Sequence, residues 1–134
     1  MPAKKRARTL CLEQLEELTA QGDVQAKKEL ARRLLEGEGV DKNEKKAVRL
    51  LEDCAVSGDP DAMLMLAKCF IYGDWIEQDT ERAETLLRGS ARGGNKEATS
   101  LVELIDFWKE LEEIDLTRSF LSPFFITWHS IYAL

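Results

Sequence analysis

The sequence predicts an all-α fold, a short right-handed α/α superhelix built from tandem helix-turn-helix units. Three observations carry that prediction. The chain repeats itself with a period of 36 residues. Apolar residues within each period recur at helical spacing. Glycines and short polar caps stand where helices must stop and start.

The period is visible column by column. Gly22, Gly58 and Gly94 are 36 apart, and so are Ala26, Ala62 and Ala98. Asp23 matches Asp59, Leu30 matches Leu66, Ala31 matches Ala67, and Gly37 matches Gly73. Ala47, Leu50, Leu51 and Ala55 match Ala83, Leu86, Leu87 and Ala91. Residues 22–57 align on 58–93 without a gap, with ten identities in 36 columns. Composition alone gives roughly two or three.

The elements follow in order. Residues 1–9 read as a disordered basic arm. Residues 10–21 read as a capping helix, the second helix of an incomplete unit. Cys11, Leu15 and Thr19 fall 36 residues before Ala47, Leu51 and Ala55, and the remaining face, with Glu13, Gln14, Glu16 and Glu17, is polar. Such a half-unit covers the open end of a stack. Repeat 1 is 22–57 and repeat 2 is 58–93. Each opens on a capping Asp, and Asp59-Pro60 is a strong helix start. The first helices are predicted over 24–36, 60–72 and 96–110. Ala26, Leu30 and Leu34, matched by Ala62, Leu66 and Phe70, share one face at a spacing of four. Gly37 and Gly73 end these helices. Asn43 and Asp79 cap the second helices. Residues 94–115 form a partial third repeat that does not close, because Lys109 stands where the turn glycine belongs. Glu110, Glu112, Glu113 and Asp115 extend that helix or form a linker. Residues 116–134 are an aromatic tail. Its last stretch, Phe120 to Leu134, holds five of the chain's ten aromatics and no charged side chain. Three readings of it stay open: a cap folded over the last helix, a partner-docking segment, or a terminus following a truncated array.

These columns resemble the Sel-one-like repeat, a relative of the tetratricopeptide repeat. The resemblance lies in Ala26, Leu30, Leu34, Gly37, Gly39, Val40, Asn43, Lys46-Ala47, Leu50, Ala55 and Gly58. The second copy keeps Ala62, Leu66, Phe70, Gly73, Ile76, Asp79, Arg82-Ala83, Leu86, Ala91 and Gly94, and departs at Trp75, where a second turn glycine belongs. The resemblance implies a binding scaffold in the role of adaptor. Some secreted bacterial relatives pair cysteines within each repeat. Cys11, Cys54 and Cys69 do not follow that pattern, so no pairing is carried over. Cys54 reads as a small buried residue.

Composition narrows the chemistry. Nineteen Lys and Arg face 25 Asp and Glu, a net charge of −6. Without the arm's Lys4, Lys5, Arg6 and Arg8 the remainder carries 15 against 25, or −10. That balance disfavours nucleic acid as a partner of the folded body. No apolar run reaches 18 residues, so no ordinary membrane span is expected. The start of the chain has no apolar stretch of the kind a secretory leader needs. The three sparse cysteines fit a reducing compartment. The expected location is the cytoplasm, or the nucleus, since Lys4, Lys5, Arg6 and Arg8 resemble an import signal. One histidine, His129, leaves little for a histidine-based triad or a multi-histidine zinc site. No phosphate-binding loop or metal-spaced cysteine pair is present, so no cofactor and no catalytic residue is predicted.

The binding surface is expected on the first helices. Arg32 in repeat 1 and Met63, Met65, Lys68 and Tyr72 in repeat 2 are its predicted contacts, with Trp75 in the turn as an added anchor. The partner is a peptide or another protein. Two other readings stand beside this one: a small regulatory or enzymatic protein with an acidic pocket, and a fragment of a longer repeat protein.

Overall fold

The computed structural model describes the backbone of residues 7–72 and 78–121, with side chains up to residue 114. Six helices follow one another: α1 Leu12–Ala20, α2 Val24–Glu36, α3 Glu44–Val56, α4 Pro60–Tyr72, α5 Thr80–Arg92 and α6 Lys96–Leu121. No strand occurs among the described residues. The chain divides into two units, residues 1–99 and 100–134.

The first unit is a run of helical hairpins. From α2 to α5 each helix packs on the one before it in sequence. The 36-residue frame sets the helix starts. Asp23 accepts from Ala26 N at 2.8 Å, Asp59 from Ala62 N at 2.9 Å and Asn95 from Ala98 N at 3.0 Å. Asn43 and Asp79 cap α3 and α5 in the same way, each at 3.0 Å. Each such side chain satisfies an amide that the helix leaves unpaired.

The turns between units repeat as closely. Gly58 adopts a φ of 86°, a left-handed conformation that glycine reaches without penalty. Around it Gly58 N donates to Ala55 O, and Asp59 N to Cys54 O. The same pair of bonds recurs 36 residues earlier and 36 later, at Gly22 and Gly94.

The core is a strip of small and branched residues. Ala26, Ala31, Ala47, Ala62, Ala67, Ala83 and Ala98 are buried, and so are Leu15, Leu30, Leu51 and Leu87. Alanine at a crossing lets two backbones approach, and leucine fills the space beside it. At one crossing the approach is closer still. A Cβ on Gly93 would lie 2.4 Å from Pro60 Cγ, so the end of α5 accepts only glycine there. Ser90 is fully buried beside it and donates to Pro60 O at 2.6 Å. Cys54, the equivalent residue of repeat 1, is buried with its Sγ 4.0 Å from Val24 O.

Two predicted boundaries move. The arm is shorter than 1–9, because residues 7–9 are helical and Ala7 is buried against Leu15 and Ala26, with Leu10 and Leu18 beside them. Burying a small side chain against α1 and α2 draws the end of the arm into the fold. At the other end, α6 continues past 115 to Leu121. Nothing between Asn95 and Pro123 interrupts it, since that stretch holds neither glycine nor proline. The acidic stretch is therefore helix and not linker. Residues 122–134 of the tail lie outside the described residues.

Candidate functional site

Two adjoining cavities open in the first unit. One, of about 350 Å³, is lined by residues that include Lys28, Glu29, Arg32, Asp61, Met65, Lys68 and Glu97. The other, of about 400 Å³, is lined by Arg32, Leu35, Glu36, Glu44, Val48, Met65, Lys68, Cys69 and Tyr72. Arg32, Met65 and Lys68 belong to both, so they form the ridge between the two hollows.

The first hollow is built from buried charge. Lys28 is buried, yet its Nζ donates to both oxygens of Asp59 at 3.0 Å and to Asp61 at 3.4 Å. Glu29 is buried too. It accepts from Arg32 Nη2 at 2.8 Å and from Arg33 Nε at 3.1 Å. Burial alone would push the Glu29 carboxyl upward, but the hydrogen bonds and charges of Arg32 and Arg33 outweigh it and hold it below the ordinary carboxylate range. Glu29 and Glu38, which accept hydrogen bonds from the guanidinium of Arg32, in turn raise its affinity for its proton. Arg32 also pairs with Glu36. Arg33 reaches back to the start of the unit, donating to Arg8 O at 3.1 Å and Leu10 O at 2.9 Å. The carboxylates of this hollow are thus engaged in ion pairs rather than gathered as a free acidic cluster.

The second hollow is softer. Leu35, Val48, Met65, Cys69 and Tyr72 supply its apolar wall, with Arg32, Lys68, Glu36 and Glu44 around them. Tyr72, at the rim of this hollow, is 77% exposed. Burial, with the carboxylate of Glu44 adding to it, pushes the Cys69 thiol up to about 11. At neutral pH Cys69 is thus a neutral, weakly polar contact and not a nucleophile.

The predicted contacts separate into three groups. Arg32, Met65, Lys68 and Tyr72 meet at one hollow. Met63 is elsewhere: its sulfur lies 3.1 Å from where a Cβ on Gly89 would stand, so it packs toward α5. Trp75 lies outside the described residues, as do Lys4, Lys5 and Arg6. Arg8 lines the first hollow. Sequence reasoning passed over Leu35, Val48 and Glu44. Leu35 had a signal available, because Ile71 keeps its column apolar. Val48 and Glu44 had none, since they come from the second helix. Among the described residues no cluster of His, Cys, Asp and Glu could hold a metal ion.

The Sel1 repeat family matches residues 24–52 and 60–95. Among solved structures, a Sel1 repeat protein from Oxalobacter formigenes is 30% identical, with a TM-score of 0.61 over 68% of each chain. The chain belongs to the Sel1 repeat family. A second Sel1-like structure, c5321, is a protective antigen of uropathogenic Escherichia coli strains. It is 28% identical, with a TM-score of 0.64, over 69% of this chain and 20% of that one. No curated protein sequence matches. Sel1 repeats generally serve as scaffolds for protein interaction, and both hollows are lined largely by the first helices of the two Sel1 repeats. No helix among the described residues is long and apolar enough to cross a membrane.

Proposed function

We propose that this Sel1 repeat protein is a non-catalytic adaptor that holds a peptide segment of another protein in the hollow between α2, α3 and α4. The observation that carries the reading is Tyr72. It stands exposed at the edge of a cavity whose wall is Leu35, Val48, Met65 and Cys69. An exposed aromatic beside an apolar recess is the usual anchor of a protein interface. Met65 suits such a wall, because its unbranched thioether adapts to the shape it meets.

The surrounding charges add selectivity. Arg32 and Lys68 stand on the ridge, with Glu36 and Glu44 on the same cavity. A segment with one apolar or aromatic side chain, flanked by polar groups that can exchange with these ion pairs, fits both features.

The test is affinity capture from a native lysate with the full chain as bait, compared with Tyr72→Ala. Tyr72 is exposed, so its removal leaves the fold intact. At least one partner should disappear with the substitution. An unchanged set of partners overturns the groove reading.

A further inference from the structure

The hollow beside Tyr72 has a sign of charge as well as an apolar wall. Glu36 is the last residue of α2 and Tyr72 the last of α4, and both line it. The carbonyl ends of two helices therefore meet at this cavity, and such an end favours a cation. The last turn of α4 holds no basic side chain. In the last turn of α2 the basic residue is Arg33, whose guanidinium is spent on Glu29 and on the carbonyls of Arg8 and Leu10.

Carboxylate is in excess at the same place. Arg32 and Arg33 face three carboxylates, Glu29, Glu36 and Glu38. Glu29 takes Nε and Nη2 of Arg32, which leaves Nη1 to hold both Glu36 and Glu38. Those two side chains are 57% and 62% exposed, so both are open to a second cation. The other charges on the hollow are matched already. Glu44 pairs with Lys42, and Lys68 with Glu97, a residue of the neighbouring hollow.

An arginine or lysine side chain fits this combination. Its aliphatic stem can lie along the wall of Leu35, Val48 and Met65 while its head stays at the wet rim. The exposed ring of Tyr72, on the same cavity, offers a face to that cation. An acidic segment would instead bring a like charge to Glu36 and Glu38, and be rejected for it.

We propose that the segment held beside Tyr72 is basic, and that it presents an arginine or lysine to Glu36 and Glu38 next to its apolar anchor. This rests on the adaptor reading of the same hollow and adds to it the charge of the partner.

The test pans a phage-displayed library of random peptides on the full chain, with Tyr72→Ala as the counter-selecting bait. Peptides that need Tyr72 should carry arginine or lysine among the residues flanking an apolar or aromatic one. One such peptide is then labelled and titrated by fluorescence anisotropy. Replacing its basic residue by glutamine should weaken binding about tenfold, and so should E36Q/E38Q in the chain. Made together, the changes should cost no more than either alone, because both remove the same pair. Glu36 and Glu38 are exposed, so their substitution leaves the fold intact. Tyr72-dependent peptides without basic residues, full affinity in E36Q/E38Q, or losses that simply add overturn the inference and leave the adaptor reading standing. Failure to recover any Tyr72-dependent peptide overturns both.

Discussion

The helices α2 and α4 occupy the same place in successive repeats and are built from opposite chemistry. Lys28 stands in the column of Leu64, Glu29 in that of Met65 and Arg33 in that of Cys69, although Arg32 and Lys68 keep a cation in theirs. Lys28 and Leu64 are each 6% exposed. At this column the two repeats bury a side chain equally deeply and fill the place with different chemistry. In α4 the filling is apolar. In α2 it is charge, matched by Asp59 and Asp61 on one side and by Arg32 and Arg33 around Glu29. An apolar column tolerates variation. A charged one is committed to its partners, because a buried charge without them is costly.

The largest effect should come from breaking the pair in α2. Glu29→Ala leaves Arg33, 13% exposed, without its carboxylate. A loss of about 3 kcal/mol is expected, read as the free energy of urea unfolding. Met65→Ala, in the same column of α4, should cost no more than about 1 kcal/mol, because Met65 is only half-buried. Equal losses at the two positions would end the comparison.

Next in size is a transplant. Lys28→Leu gives repeat 1 the residue that repeat 2 carries in that column. It strands the Asp59 carboxylate, and about 1–3 kcal/mol should be lost. Adding Asp59→Asn should restore most of it, since Asn95 already caps α6 in the equivalent place with an amide. A double variant no more stable than Lys28→Leu alone would show that the Asp59 charge is not what Lys28 serves.

Acid should erase part of the difference between the helices. The Glu29 carboxyl is held below its ordinary value of 4.5 in the folded chain. Its contribution is thus complete above 4.5 and is lost as pH falls through the lowered folded value. Glu29→Gln cannot respond in that way. The gap in Tm between wild type and Glu29→Gln should be wide at pH 6 and narrow toward pH 3. A gap that stays constant removes the ion pair as its cause.

The smallest effect belongs to an exposed salt bridge of α4. Lys68 Nζ lies 2.5 Å from Glu97, but the two side chains are 44% and 59% exposed. Lys68→Ala should change stability by less than about 0.5 kcal/mol. A larger loss would mean that exposed and buried pairs contribute alike here.

The frame was legible in the sequence because its signals are local and repeated. Asp23, Asn43, Asp59, Asp79 and Asn95 mark helix starts by residue type alone, and all five cap as read. Contacts between helices were less legible. Nothing local shows that Lys28 and Glu29 are buried, because their partners lie 31 residues away or one turn along the helix. Met63 read as a groove residue because the segment Met63 to Leu66 is apolar on every side, which hides the direction each side chain takes. Lys109 in place of a turn glycine did not by itself show that α6 would run on to Leu121.

Cys54 has one further use. Its thiol lies sealed between α2 and α3, with burial raising its pKa, whereas Cys11 is open to solvent. In a Cys69→Ala variant a thiol-specific label will therefore mark Cys11 at once, and Cys54 only during the moments when the first hairpin parts. The ratio of that slow labelling rate to the rate for an unfolded chain gives the opening free energy of repeat 1 by itself. The chain thus carries a clock for its own first hairpin, readable without adding a probe.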